Sequence, residues 1–205
     1  MKIRPLAIEG AFEVTPTLHG DSRGTSLEWY RFDKLAEAVG HELRLAQGNI
    51  SVSAKGVVRG VHFVNVPVGQ AKYVSCVRGT VLDAIVDVRV GSPTFGQWEL
   101  IQLDDVDRKA VYLAEGLGHG ICALSEEATL TYLCSSTYDP SAERGVHPLD
   151  PELGIAWPFG TPVLSPRDAS APTIEEAANR GDLPDYQVCR DYQLMLRSDL
   201  GVTAK

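Results

Sequence analysis

From Leu43 to about Ser135 the chain is a succession of short Val-, Ile-, Leu-, Tyr- and Thr-rich segments broken by Gly, Pro, Asn and Asp, with almost no helical periodicity. That pattern is the signature of a sandwich or barrel. It predicts strands over Gln47 to Ala54, Val57 to Val64, Lys72 to Val77, Val81 to Val90, Trp98 to Leu103, Ala110 to Leu113, Gly120 to Leu124 and Thr129 to Ser135. Eight short strands are the count of a jelly roll. Helical signals are confined to the flanks: Phe32 to Val39 stopped by Gly40, Thr173 to Asn179 with a Thr173/Glu176 capping box, and Cys189 to Leu196. The Pro-, Gly- and Asp-rich stretch from Pro140 to Pro172 reads as an ordered loop packed over the barrel.

Composition narrows what such a barrel can bind. A 205-residue chain with 44% hydrophobic residues can bury a core as one domain over residues 1–205. Its formal net charge of -8 disfavours a nucleic acid or an anionic membrane as partner, so an anionic ligand must meet a local cluster of Arg, Lys or His. No stretch approaches the roughly 18 apolar residues of a membrane span, and Met1-Lys2-Ile3-Arg4-Pro5 leads into no signal-like apolar run. Cys76, Cys122, Cys134 and Cys189 show no Cys-x-x-Cys spacing and read as buried free thiols, which points to the cytoplasm.

Alternation along the strands sorts side chains by face. Gln47, Asn49, Ser51 and Ser53 share one face, and Asp83, Ile85, Asp87 and Arg89 share another. Either polar face could simply be wet. However, Arg59, His62, Lys72 and Tyr132 also interrupt largely apolar strands, and a polar ligand cavity accounts for them together. Strict alternation puts Arg59 and His62 on opposite faces, so both reach one cavity only if the strand bulges, which Gly60 permits. As a base His62 needs an orienting carboxylate, for which Asp83, Asp87 and Asp168 are the candidates. Tyr132, on the face of Leu130 and Cys134, can aim its hydroxyl into the same space.

Other chemistries lack support. A metal-binding cupin typically needs a His-x-His pair, a following Glu and a later His, whereas Val57 to Val64 supplies one His, so no metal is expected. Gly116-Leu117-Gly118-His119-Gly120 leads into a strand rather than a helix, which removes the phosphate-loop reading. No Gly-x-Ser-x-Gly occurs.

Seven strings then carry a resemblance over most of the chain: Asp21-Ser22-Arg23-Gly24, Gln47-Gly48-Asn49, Gly56-Val57-Val58-Arg59-Gly60-Val61-His62-Phe63, Asp87-Val88-Arg89-Val90-Gly91-Ser92-Pro93-Thr94-Phe95-Gly96, Gly118-His119-Gly120, Asp150-Pro151-Glu152-Leu153-Gly154-Ile155-Ala156-Trp157-Pro158 and Leu164-Ser165-Pro166-Arg167-Asp168. In this order they resemble the dTDP-4-dehydrorhamnose 3,5-epimerase family. The resemblance implies an all-β, cupin-like jelly-roll barrel with short flanking helices, metal-free and without cofactor, working as a homodimer on a dTDP-linked 4-keto-6-deoxy sugar. It implies His62 as the base, Asp168 as its carboxylate partner, Lys72 as the cation facing the enolate oxygen and Tyr132 as the acid on the opposite face. Arg23, Arg59 and His119 match positions that contact the diphosphate, and Glu28, Gln47 and Asn49 match positions at the nucleoside. Tyr138 matches an aromatic stacked on thymine, while Glu143 and Arg167 match further substrate contacts.

The sequence departs from the family pattern at Arg167, where Lys is common, and at Phe63-Val64-Asn65, where Tyr or Phe followed by Gln is common. The second departure bears on whether C5 as well as C3 is inverted, and C3 alone is the expectation carried forward. A 3,4-ketoisomerase on the same substrate class and a non-catalytic nucleotide-sugar-binding jelly roll are the alternatives.

Overall fold

The computed structural model describes residues 1–198. Four short strands open the chain, β1 (Lys2–Pro5), β2 (Ala11–Thr15), β3 (Leu18–Asp21) and β4 (Gly24–Leu27), followed by helix α1 (Phe32–Val39). Then come β5 (Gln47–Ala54), β6 (Val58–Val64), β7 (Lys72–Arg78), β8 (Thr80–Val86), β9 (Trp98–Asp104), β10 (Ala110–Leu113), β11 (Gly118–Ala123) and β12 (Glu127–Cys134). The last elements are β13 (Glu143–Gly145), α2 (Pro166–Ala169), α3 (Ile174–Asn179) and α4 (Tyr186–Ser198).

Two antiparallel sheets form the barrel, one ordered β1-β2-β10-β7-β12-β5 and the other β13-β6-β11-β8-β9, while β3 and β4 pair as a separate hairpin. Between the sheets Val74, Cys76 and Leu130 meet Val81, Ile85, Ile101, Leu103 and Ile121 in one apolar cluster. The opposite sides of the strands are covered too. Tyr73, Tyr112 and Val14 pack under Leu35 and Val39 of α1, and Val61, Phe63 and Val86 pack under Leu153, Ile155, Ile174 and Leu183. This doubly covered arrangement explains why the strands read as apolar runs and not as clean alternation.

The eight expected strands are all present, and the departures have physical reasons. The strand expected through Val90 ends at Val86, because the Asp87 carboxylate organises a turn. It accepts from Arg89 Nε and a second guanidinium nitrogen, each at 2.8 Å, and from the Ser92 and Thr94 hydroxyls, each at 2.6 Å. Asp87 and Arg89 therefore form a buried ion pair and have no part in a wet or ligand-binding face. Strands β1 to β4 and β13 are three to five residues long, too short to carry a periodic signal. The Thr173/Glu176 capping box is present at α3, and α4 is longer at both ends than the Cys189 to Leu196 expectation. The 140–172 stretch packs on the barrel as expected, with Trp157 Nε1 donating to Pro148 O at 2.8 Å. It also contains β13 and α2.

Removing one partner of a buried pair strands the other charge in the interior. Asp87→Ala is accordingly expected to cost about 3–5 kcal/mol, read as a lowered urea midpoint. A loss below about 1 kcal/mol, the scale of an exposed pair, would contradict the role given to this turn.

Candidate active site

Between the sheets, at the end where Lys72 and Cys134 pair in register, lies a cavity of about 360 Å³. Its walls hold Gln47, Asn49 and Ser51 from β5, Arg59 and His62 from β6, Lys72 from β7, His119 and Ile121 from β11, and Tyr132 and Cys134 from β12. Gln70, Tyr138, Glu143, Ser165, Arg167 and Asp168 close the rim.

Local backbone chemistry aims these groups. Between the pairs His119–His62 and Ile121–Arg59, two residues of β6, Gly60 and Val61, oppose one of β11, Gly120, across a register shift. This is the bulge that Gly60 was expected to permit, and it brings Arg59 and His62 to one cavity. Gly60 sits at φ +135°, where a Cβ would come within 2.5 Å of Gly120 Cα, so no larger residue fits. Asp168 is presented by the short α2, whose N-cap Ser165 accepts from the Asp168 amide at 3.1 Å.

Of the three carboxylates proposed for His62, Asp168 is the partner: His62 Nε2 lies 2.6 Å from Asp168 Oδ1. Burial pushes the Asp168 carboxyl up, but the hydrogen bond and charge of His62 outweigh it and hold the group below its ordinary value. An ionised Asp168 accepts from Nε2–H, which leaves Nδ1 as the ring nitrogen outside this contact. Asp83 instead holds His119, with Nε2 to Oδ2 at 2.8 Å, both side chains buried. The His119 ring stands edge-on to Tyr132 at 6.0 Å between centroids.

Tyr132 and Lys72 come from the sheet opposite His62. Burial pushes the Tyr132 phenol up to about 12, so it keeps its proton at neutral pH. Lys72 is shifted the other way by burial, opposed by the neighbouring Cys134, Glu143 and Asp83. It has no hydrogen-bond or ion-pair partner among the described residues. Arg59 is held by Ser53 Oγ at 2.9 Å and Val52 O at 3.2 Å, so its charge is not spent on a carboxylate. Arg167 pairs with Glu143 at 2.9 Å, and Gln47 accepts from the Tyr138 amide at 2.7 Å.

Two residues singled out in the sequence stay outside the cavity. Arg23 sits on the β3–β4 turn with its side chain 87% exposed and paired to Asp21. Glu28 is exposed and paired to Arg31 at 3.1 Å. Conversely, Gln70, Cys134 and Ser165 line the cavity without having been chosen as site residues. Cys134 was legible from its face with Tyr132, and Ser165 from the Ser-Pro start of a helix, but Gln70 carries no sequence signal. Among the described residues no group of three or more His, Cys, Asp or Glu could hold a metal ion.

Fold and cavity together define a cupin-like jelly roll whose polar pocket sets a histidine–carboxylate pair across from a tyrosine and a lysine. The family model of dTDP-4-dehydrorhamnose 3,5-epimerase matches residues 5–176, and the chain belongs to that family. It is 63% identical to the dTDP-4-dehydrorhamnose 3-epimerase of Streptomyces niveus over 190 residues, 93% of this chain and 92% of the relative. Among solved structures it is similar to NovW, a 4-keto-6-deoxy sugar epimerase from the novobiocin cluster of Streptomyces spheroides. The identity is 63% and the TM-score 0.91, covering 92% of this chain and 95% of that one. It is also similar to ChmJ, a 3'-monoepimerase from Streptomyces bikiniensis in complex with dTDP-quinovose, at 50% identity and TM-score 0.92, covering 94% and 98%.

An unpaired ammonium in a cavity wall costs stability that an apolar side chain does not. Lys72→Met is expected to raise the unfolding free energy at pH 7 by about 1 kcal/mol while abolishing turnover. Because the folded-state pKa is lowered, the unfolded chain binds more protons between that value and the ordinary 10.5. Stability of the unmodified protein therefore rises with pH through this window. The gap to Lys72→Met should narrow there, and a gap that widens would contradict the assignment.

Proposed function

We propose that this chain inverts C3 of a dTDP-linked 4-keto-6-deoxy hexose. The observation that carries the reading is the opposition of His62 and Tyr132 across one cavity, on different sheets. A carbon beside a ketone is acidic enough to be deprotonated when the developing enolate is stabilised, and its inversion needs a base and an acid on opposite faces. His62 Nδ1 takes the C3 proton, with Asp168 holding the ring and stabilising the imidazolium. The negative charge that builds on the C4 oxygen is met by Lys72. Tyr132 O–H then delivers a proton to the other face of C3. The electrons return to the ketone, so no redox cofactor is needed.

Arg59 supplies positive charge for the diphosphate, with His119 beside it, which is how an acidic protein holds an anion locally. Gln47 and Asn49 contact the nucleoside, Tyr138 stacks on thymine, and Glu143 with Arg167 closes on the sugar nucleotide. Restriction to C3 is supported by the names of the Streptomyces niveus relative and of ChmJ, a 3-epimerase and a 3'-monoepimerase. The four free, buried cysteines support a reducing cytoplasm as its compartment, and no described helix is long and apolar enough to cross a membrane.

The working unit we propose is a homodimer in which Arg23 and Glu28 serve the neighbouring site. Support comes from their exposure outside their own cavity and from β5, a free sheet edge with Ile50 73% and Val52 54% exposed.

His62→Ala and Tyr132→Phe are each expected to lower turnover at least about a hundredfold with the fold intact. Near-normal turnover in both would remove these assignments. Mixing inactive Arg23→Ala and His62→Ala protomers should restore activity, since a hybrid then carries one complete site. No restoration would place Arg23 in its own protomer's site.

A further inference from the structure

The polar face of β5 is a rack on which successive side chains each hold one group of the cavity. Gln47 accepts from the Tyr138 amide and donates to Asn49 Oδ1 at 2.8 Å. Ser53 accepts from Arg59 at 2.9 Å. Between them Ser51 Oγ lies 3.3 Å from Tyr132 Oη and itself lines the cavity. This is the one hydrogen bond the Tyr132 hydroxyl makes among the described residues. The separation exceeds the usual spacing of about 2.8 Å, as expected of contacts that tighten when substrate closes the site.

A phenol has one hydrogen. If it were spent on Ser51, Tyr132 would have none to give to carbon, so the productive arrangement has Ser51 donating and Tyr132 Oη accepting. Once Tyr132 has delivered its proton it is a phenolate in a buried wall, beside the His119–Asp83 pair, which adds negative charge nearby. That anion needs a donor at once and a proton before the next turnover.

We infer that Ser51 is the positioning residue of Tyr132, holding its hydroxyl toward the substrate and passing a solvent proton back to it after each turnover. The inference rests on the epimerase reading above. In the return step the Ser51 O–H bond breaks as the Tyr132 O–H bond forms, and Ser51 takes a proton from water at the cavity in the same motion. The hydroxide left behind is neutralised by the proton His62 removed from C3, so the cycle closes without any other reactant. Position favours the relay, because Ser51 is half-buried on an edge strand with the cavity on one side.

The test separates proton removal from inversion. In deuterated water, with dTDP-4-keto-6-deoxyglucose as substrate, NMR reads deuterium entry at C3 and formation of the inverted product independently. Ser51→Ala should keep deuterium entry within about twofold, since His62 still removes and returns the proton on its own face, while inversion falls about tenfold or more with KM unchanged. Ser51→Thr, which keeps the hydroxyl and suits a strand, should restore inversion. Equal loss of both rates, unchanged inversion in Ser51→Ala, or a Thr variant no better than Ala would overturn the inference alone. Absence of both reactions in the unmodified protein would overturn the epimerase reading and this inference with it.

Discussion

The 2.6 Å contact between His62 and Asp168 is the interaction on which the site depends. It joins a residue of the barrel wall to a residue far along the chain, on a four-residue helix that has no helical stability of its own. What holds that helix is its Ser165 cap and the loop packed on the outer face of the five-stranded sheet, where Leu153 and Ile155 join the apolar cluster. Outer packing thus holds the carboxylate that meets His62 Nε2. The Asp87–Arg89 turn performs a similar service, since Arg89 also donates to Glu9 O at 3.1 Å and ties the strand ends together.

Around that contact the molecule divides its two sheets by chemistry. The interior is apolar where Val81, Ile101, Leu103, Ile121 and Leu130 meet. It turns polar at one end, because β7 begins with Lys72 and β12 ends with Tyr132 and Cys134 on the face that carries Val74, Cys76 and Leu130 further along. Burial then does the electrostatic work. It keeps a proton on Tyr132 and destabilises the charge on Lys72, which is what the proposed acid and the proposed enolate-facing cation require. Such sites cost stability, and the doubly covered sheets supply the surplus.

Much of this was legible in the residues. Eight strands were visible because each is a short apolar run between turn residues, and the sharing of one cavity by Arg59 and His62 followed from a single glycine at the right place. The residues alone left the pairing of His62 open among three carboxylates, because contacts between distant segments leave no periodic trace, and it was the family resemblance that named Asp168. The two unsuccessful candidates have partners of their own, Asp83 with His119 and Asp87 with Arg89. Short polar strands such as β3 and β4 were illegible for the opposite reason. Neither has a fully buried residue, so no hydrophobic pattern marks them. Arg23 was found through its motif, yet its place outside the cavity was beyond sequence, which does not distinguish a residue serving its own site from one serving a neighbour's.

The most direct test of the account is incubation of the unmodified protein with dTDP-4-keto-6-deoxyglucose in deuterated water, with the sugar ring followed by NMR. The account predicts that the proton at C3 is replaced and the centre inverted, while C5 keeps its proton and the ketone stays at C4. Replacement at both carbons would contradict the restriction to C3. A ketone that moves to C3, or a ring that exchanges nothing, would contradict the proposed chemistry itself.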